Sequence, residues 1–275
     1  MFMRKIFQYL RVLFTAGTAV IHYYFWYFLR YSRHPEKYPL ETRYKNIRKL
    51  MAFIVKCFHV DIHVEGLDTI NNLKGKRLFI SNHLSDLDPL LLVTLYDQPI
   101  TFAAKKETMK MPFIGKGLKS IEGIPLDRSN IMNQISEIRA IVKMIKDENK
   151  PNIAIFAEGT RNKIPTSKCL EFKGGSVKIG YMSNVPIVPV TIYGTFRIFS
   201  IKSYLRRYPV FVKFGTPIMP EEYKNIPSVE LADSIRKQID ENIKIFRQLD
   251  KIEIYKGKGS LLNKVRETSV DKVND

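Results

Sequence analysis

The chain has 275 residues, 45% of them hydrophobic, which is ordinary for a globular core and argues against general disorder. Its 45 Lys and Arg exceed its 27 Asp and Glu by 18, so an anionic partner is expected: nucleic acid, an acidic membrane surface or a phosphorylated substrate. Cys57 and Cys169 lie in no C-x-x-C or Cys/His cluster, and the histidines show no metal-ligand spacing. The sequence therefore predicts two reduced thiols and no metal site.

The first part of the chain carries an uncharged segment of eighteen residues, 12–29, between Arg11 and Arg30. As a helix it is roughly 27 Å long, slightly shorter than the ~30 Å hydrocarbon core of a bilayer. Its aromatic cluster at 23–28 favours the headgroup boundary, and both flanks are basic, whereas a spanning helix leaves most positive charge on one side. We expect a segment that enters one leaflet and returns to the same face; a single span, a buried core helix and a signal peptide are the alternatives.

A second segment, 44–58, places its apolar side chains on one helical face and its basic side chains elsewhere. This is the pattern of a helix that lies in a membrane interface. Pro35 and Pro39 predict a turn between the two segments. The sequence thus predicts that residues 1–60 form a two-helix membrane-associated motif ahead of the main domain.

Residues 61–250 alternate between short apolar runs and amphipathic stretches, which predicts a mostly parallel or mixed sheet flanked by helices, the α/β class. The predicted strands are 77–81, 100–104, 124–128, 152–156, 187–193 and 210–214. The predicted helices are 89–95, 131–148, 175–182 and 229–249. Residues 251–275 are polar and are expected to form a C-terminal tail.

Two predicted strands end in turns that are rich in reactive side chains. His83 and Asp88 follow strand 77–81, and Glu158-Gly159-Thr160-Arg161 follows strand 152–156. A neutral imidazole can remove a hydroxyl proton near pH 7, and a carboxylate on its other nitrogen fixes the tautomer and stabilises the imidazolium. Because ligands of α/β sheets bind at strand ends, the two turns predict one site with a base, its orienting carboxylate and a guanidinium for an anion.

The chain resembles the glycerolipid acyltransferases, and within them the bacterial 1-acylglycerol-3-phosphate acyltransferases, over about residues 50–215. Four blocks carry the resemblance in family order: NHLSDLD at 82–88, GIPLDR at 123–128, EGTR at 158–161 and VPIVPV at 185–190. The resemblance implies transfer of a fatty acyl group from acyl-CoA or acyl carrier protein to the sn-2 hydroxyl of 1-acylglycerol 3-phosphate, giving phosphatidic acid. It implies no cofactor beyond this co-substrate, and a place at the cytoplasmic face of the cell membrane, with the amino-terminal motif dipped into one leaflet.

The resemblance also implies roles for individual residues. His83 becomes the general base and Asp88 its orienting partner. The acceptor and its phosphate are assigned to Glu158, Gly159, Thr160, Arg161, Arg128 and Lys105. Lys173 resembles a further basic position of the family. The structural alternatives are a Glu158 that supports Arg161 and a Lys105 that is simply a surface lysine.

Other interpretations of the same residues stay open. Ser85 and Asp86 are interpreted as helix caps. Ser81 and Ser85 raise the alternative of an acyl-enzyme, but neither lies in a G-x-S-x-G elbow, so direct attack by the substrate hydroxyl is favoured. Alternative functions are acylation of another lysophospholipid or of glycerol 3-phosphate, hydrolysis to free fatty acid, and non-catalytic binding of nucleic acid. Nucleic acid is not expected as a partner, because the basic residues are dispersed and no nucleic-acid motif is present.

Overall fold

The structure is a computed structural model that describes residues 2–127, 131–162, 168–200 and 205–256. The strands are β1 (Val60–Glu65), β2 (Leu78–Ser81), β3 (Ile100–Lys105), β4 (Ile124–Leu126), β5 (Asn152–Phe156), β6 (Ile187–Tyr193) and β7 (Tyr208–Phe214). The helices are α1 (Phe2–Tyr23), α2 (Leu29–Arg33), α3 (Leu40–Cys57), α4 (Leu67–Asn71), α5 (Asp88–Leu95), α6 (Pro112–Ser120), α7 (Ile131–Ile145), α8 (Gly174–Ser183), α9 (Pro220–Tyr223) and α10 (Ser228–Lys256).

The described strands form one sheet in the order β1-β7-β6-β2-β5-β3-β4. Strands β2 to β6 run parallel to one another, whereas β7 pairs antiparallel with β6 and parallel with β1. The predicted mostly parallel sheet is thus confirmed. Because β2, β5, β3 and β4 are parallel neighbours, their carboxyl ends meet at one edge of the sheet, called here the carboxyl edge.

Helices cover both faces of the sheet, because alternate residues of each strand point to opposite sides. In β2, Phe79 packs in the cluster that contains α3 and α5, whereas Leu78 and Ile80 pack in the cluster that contains α7, α8 and α10. All residues of β2 and of β6 are buried. Burial on both faces explains why these strands are nearly continuous apolar runs in the sequence.

The chain starts with a continuous helical segment, 2–33, in which a π-helical turn (Tyr24–Phe28) joins α1 to α2. It begins well before Arg11 and is therefore longer than the predicted segment 12–29. By length and composition, Met3–Arg33 could cross a membrane. One face of α1 packs on the domain. The opposite face of α1 and the π-helical turn after it expose large apolar side chains: Met3, Phe7, Leu10, Leu13, Phe14, Ile21, Phe25 and Trp26.

A buried lysine fixes the start of α1 to the domain. The Nζ atom of Lys5 donates to the Ile198 carbonyl oxygen (2.7 Å) and to the Tyr208 hydroxyl (2.6 Å), and the Lys5 side chain has no exposed surface. Farther along α1, Arg11 Nη2 donates to the Cys57 carbonyl oxygen at the end of α3 (2.9 Å). These contacts hold α1 along the domain.

The apolar face of α3 is buried in the protein, which corrects the prediction that 44–58 is an interfacial helix. Ile47, Leu50 and Val55 are at most 4% exposed. They belong to the core cluster that also contains α5 and one face of the sheet. An amphipathic pattern identifies an apolar helix face that is buried away from water. It does not show whether lipid or another part of the protein buries that face.

The remaining predicted elements are present, with shifts at their ends. Strands 152–156 and 187–193 match β5 and β6, and α10 continues past the predicted end at 249 to Lys256. The additional elements β1, α4, α6 and α9 are short or interrupted by Gly and polar residues, so the apolar pattern does not predict them. Residues 257–275 of the predicted tail lie outside the described residues.

Candidate active site

His83 lies in the turn between β2 and α5, and both its ring and its backbone are held. Nδ1 lies 2.8 Å from Asp88 Oδ2, and the ring stacks on Phe156 with centroids 4.1 Å apart. The backbone N–H donates to Glu158 Oε1 (2.7 Å), and the backbone carbonyl accepts from the Asn162 N–H (2.8 Å). The side chain remains 16% exposed, so a fixed imidazole still reaches solvent.

Asp88, the first residue of α5, is fully buried, and three donors converge on one of its oxygens. Oδ2 accepts from the backbone N–H groups of Leu84 (2.7 Å) and Ser85 (2.8 Å) and contacts His83 Nδ1. Since a carboxylate oxygen in this position is an acceptor, the proton of the neutral ring belongs on Nδ1. The basic nitrogen left for a substrate is Nε2, which has no hydrogen-bond partner among the described residues.

Asn82 anchors this turn to the neighbouring strand β6. Its side-chain amide donates to the Ile192 carbonyl oxygen, and its Oδ1 accepts from the Ile192 N–H, both at 2.8 Å. Asn82 is fully buried. The side chain thus continues the hydrogen bonding between β2 and β6 beyond the end of β2, and the residue before His83 is as fixed as the sheet.

Glu158 lies buried between the two turns and binds backbone on both sides. Oε1 accepts from His83 N–H, and Oε2 accepts from Leu170 N–H (2.9 Å). Burial raises the pKa of the Glu158 carboxyl, although the two backbone hydrogen bonds act in the opposite direction. Glu158 therefore braces His83, and the alternative in which it supports Arg161 is wrong.

Arg161 forms an ion pair with Asp86, which lies in the turn after β2. The bond joins Arg161 Nη1 to Asp86 Oδ2, and the two side chains are 47% and 67% exposed. The interpretation of Asp86 as a helix cap is therefore wrong. Ser85 does serve the turn, because its Oγ accepts from the Leu87 N–H (3.2 Å).

A cavity of about 420 Å³ opens at the carboxyl edge beside Glu158. It is lined by Lys105, Glu107, Leu126, Asp127, Glu158, Gly159, Thr160 and Lys173. Neither lysine has an ion-pair partner among the described residues. Gly159 has a φ of +68°, a backbone conformation that favours glycine, and a Cβ there would also push against the end of the Lys173 side chain, 2.9 Å from its Cε.

The structure groups the predicted site residues into two neighbouring sets. The hydrogen-bonded set comprises His83, Asp88 and Glu158. The cavity set comprises Lys105, Glu158, Gly159, Thr160 and Lys173. Arg161 is not part of the cavity lining, and Arg128 lies outside the described residues. Within the described ranges, no group of three or more His, Cys, Asp or Glu side chains is placed to hold a metal ion.

Comparison with known proteins identifies the family of this chain. The family model described as Acyltransferase matches residues 61–193. A probable 1-acyl-sn-glycerol-3-phosphate acyltransferase of Mycoplasma genitalium is 31% identical over 229 residues, which cover 77% of this chain and 81% of the relative. The chain belongs to this acyltransferase family. A probable 1-acyl-sn-glycerol-3-phosphate acyltransferase of Mycoplasma pneumoniae is 29% identical over 224 residues, which cover 77% of this chain and 82% of that one.

A solved structure shares the fold. It is the crystal structure of the 1-acyl-sn-glycerophosphate (LPA) acyltransferase, PlsC, from Thermotoga maritima, with a TM-score of 0.71 and 24% identity over 90% of this chain and 98% of that chain. The likeness confirms the α/β class with its long amino-terminal helix. The family match runs from β1 to the end of β6 and so includes both turns of the site. The resemblance drawn from four sequence blocks is confirmed.

Four contacts of the site were not predicted from the sequence: Phe156 under the His83 ring, Asn82 on β6, Asp86 on Arg161, and Glu158 on the His83 backbone. The first follows from strand register, because Ser81 at the end of β2 pairs with Phe156 at the end of β5. Register depends on which strands are neighbours, and a single sequence does not give that order.

Proposed function

We propose that the protein transfers a fatty acyl group from a thioester donor to the sn-2 hydroxyl of 1-acylglycerol 3-phosphate and so forms phosphatidic acid in phospholipid synthesis. The observation that carries the proposal is the His83–Asp88 pair, which Glu158 links to a cavity containing two lysines. Membership of the family supports it, because relatives matched over most of their length are named for this reaction.

His83 is the general base of the proposed mechanism. Nε2 takes the proton of the sn-2 hydroxyl as the hydroxyl oxygen bonds to the thioester carbonyl carbon. The tetrahedral intermediate then collapses, the C–S bond breaks, and the imidazolium gives its proton to the leaving thiolate. Asp88, fixed by the amides of Leu84 and Ser85, stabilises the imidazolium between these steps and keeps the ring in the required tautomer.

The acceptor's phosphate is assigned to the basic side of the cavity. Lys105 and Lys173 supply ammonium groups that form no ion pair within the described residues, although Glu107, Asp127 and Glu158 line the same cavity, and Thr160 adds a hydroxyl donor. The volume of about 420 Å³ falls in the range of small-molecule sites, so it suits a phosphoglycerol headgroup better than a whole lipid. Arg161, next after Thr160, is assigned to the rim of this phosphate site.

The donor is a thioester of coenzyme A or of acyl carrier protein. Both present the same carbonyl to the attacking hydroxyl, and the mechanism needs no cofactor besides this co-substrate. The net charge of +18 raises the local concentration of either donor, because both carry phosphate groups.

A panel of acceptors tests the reaction. The purified protein receives labelled acyl-CoA with 1-acylglycerol 3-phosphate, with glycerol 3-phosphate, with lysophosphatidylcholine, or with no acceptor. We expect labelled phosphatidic acid, and a kcat/KM for the lysolipid phosphomonoester at least about tenfold above that of the others, the size of one charge-assisted hydrogen bond. Preference for another acceptor, or release of labelled free fatty acid, contradicts the proposal. Repeating the assay with labelled acyl-acyl carrier protein in place of acyl-CoA, and comparing the two kcat/KM values, decides the donor.

The exposed apolar face of α1 is assigned to one leaflet of the membrane in which the acceptor resides. Phe14 on this face is 71% exposed, and Phe25 in the π-helical turn after it is 60% exposed. The first turn of α6 extends the surface, since Phe113 contacts Tyr24 with ring centroids 4.6 Å apart and Ile114 is half exposed. Because the other face of α1 packs on the domain, the helix suits an interfacial position better than a lipid-surrounded span.

Vesicle flotation tests this face with a matched pair of variants. Phe14 on α1 and Val229 on α10 are 71% and 70% exposed, but they lie on helices that cover opposite faces of the sheet. We expect Phe14→Asp to weaken binding to vesicles of phosphatidylglycerol and phosphatidylcholine by about tenfold or more, because a Phe side chain leaves the lipid. Val229→Asp should bind as the unmodified protein does. Equal binding of both variants contradicts the assignment.

A further inference from the structure

We propose that Asp86 competes with the acceptor's phosphate for Arg161 and thereby sets the affinity for the acceptor. The inference rests on the proposed function. Arg161 Nη1 bonds to Asp86 Oδ2, and neither side chain has another hydrogen bond or ion pair to the described residues. The guanidinium that follows Gly159 and Thr160, two residues of the cavity lining, is therefore engaged by a carboxylate of the protein itself.

The Asp86–Arg161 pair is not needed to hold the two turns together. The turns are already joined by buried or part-buried bonds from His83 N–H to Glu158 Oε1 (2.7 Å) and from Asn162 N–H to the His83 carbonyl oxygen (2.8 Å). These bonds are made by backbone and by a buried carboxylate, so the frame stays in place when the surface pair opens. Both side chains of the pair are exposed, so Arg161 is able to leave Asp86 for a phosphate without breaking the bonds of the frame.

The strengths of the two interactions favour the exchange. A solvent-exposed ion pair contributes little, because water screens the charges and two long side chains lose freedom. A phosphomonoester carries close to two negative charges and accepts both N–H groups of a guanidinium fork. The phosphate therefore displaces Asp86 from Arg161. Its binding is weakened slightly, because the Asp86–Arg161 pair must break and the negative charge of Asp86 remains nearby.

Asp86 has a second effect, on the product. Phosphatidic acid carries the same phosphomonoester as the acceptor. Each contact to this group that strengthens acceptor binding therefore also strengthens product binding. When the Asp86 carboxylate binds Arg161 again, the affinity for the acceptor and the affinity for the product fall by the same factor. Asp86 is thus a positioning residue that lowers the affinity for the acceptor and, by the same contact, speeds release of the product.

A double-mutant cycle tests the competition. Asp86→Asn, Arg161→Gln and the double variant are compared with the unmodified protein for the acceptor KM, in mixed micelles at saturating donor. We expect Asp86→Asn to lower the KM for 1-acylglycerol 3-phosphate by about two- to fivefold, the size of one exposed ion pair, and to strengthen inhibition by added phosphatidic acid by a similar factor. The donor KM should be unaltered, and in the Arg161→Gln background Asp86→Asn should have no effect on acceptor KM.

Asp68→Asn is the matched control, because it removes the same charge from an exposed position on α4. Strand β1 runs opposite to β2, so α4 lies at the other edge of the sheet from the site. An acceptor KM that rises or stays constant in Asp86→Asn overturns the inference, as does an equal fall in the Asp68 variant or in the Arg161→Gln background. Absence of phosphatidic acid formation by the unmodified protein overturns the proposed function itself, together with this inference.

Discussion

Replacing His83 by alanine should lower kcat by about 10²- to 10⁴-fold, the usual contribution of a positioned general base. The ring provides the only assigned proton acceptor for the attacking hydroxyl. The substitution removes the Asp88 contact and the stacking on Phe156, but the backbone bonds to Glu158 and Asn162 remain. The measurement is the initial rate of labelled phosphatidic acid formation at saturating donor and acceptor.

Vesicle binding, thermal unfolding and a control variant show whether a loss of activity in His83→Ala comes from the missing imidazole. The alanine variant should still float with vesicles, because α1 and α6 are unchanged, and its thermal unfolding should remain a single cooperative transition. His59, which precedes β1 three strands away from β2, supplies a matched control: it is exposed and bonded to Arg11, so His59→Ala should retain activity. Near-normal turnover in folded His83→Ala protein removes the imidazole from the mechanism.

Asp88→Asn should lower kcat by about 10- to 10³-fold, which is the loss expected when an opposite charge beside the imidazolium disappears. The backbone amides of Leu84 and Ser85 both donate to Oδ2, so they favour the oxygen of the new amide at that position. The amide NH₂ then takes the place of Oδ1, a buried atom with no hydrogen-bond partner. The ring tautomer is therefore expected to survive, and the loss comes from charge alone.

Nitrogen-15 NMR of the His83 ring separates these causes, because the shifts report which nitrogen carries the proton. Asp88→Asn should keep the Nδ1-protonated form. Asp88→Ala removes the oxygen that accepts from three donors, so the ring should lose this form and kcat should be lower than in Asp88→Asn. A protein with unaltered kcat after Asp88→Asn contradicts the role of the carboxylate. A proton found on Nε2 in that variant contradicts the tautomer argument instead.

The parts of the fold that follow from short-range patterns were predictable. Strands β5 and β6 are apolar runs bounded by turn residues, and both were predicted at their observed ends. His83 and Asp88 were also recognisable, because their contact closes over five positions in one turn and needs no long-range information. The predicted α/β class followed from the alternation of such runs with amphipathic stretches.

The errors share one physical cause, since each depended on which distant surfaces meet. The apolar face of α3 has the periodicity of an interfacial helix, but α5 and the sheet cover it. Asp86 has the residue type of a cap, but Arg161, seventy-five positions away, takes its carboxylate. Glu158 could have supported its neighbour Arg161, yet it binds the backbone N–H of His83 in the turn after the adjacent strand β2. Sequence separation hides such partners until strand order is known.

The attachment of α1 through Lys5 bears on how a lipid gets into the enzyme. Because Lys5 and Arg11 hold this helix along the domain, the proposed binding of its apolar face to a leaflet also fixes the height of His83 above the lipid surface. Each methylene that leaves the hydrocarbon layer costs about 0.8 kcal/mol. If these methylenes enter water, few of them can leave, so in the proposed arrangement most of the acceptor's acyl chain stays in the leaflet while its glycerol carbons reach the base.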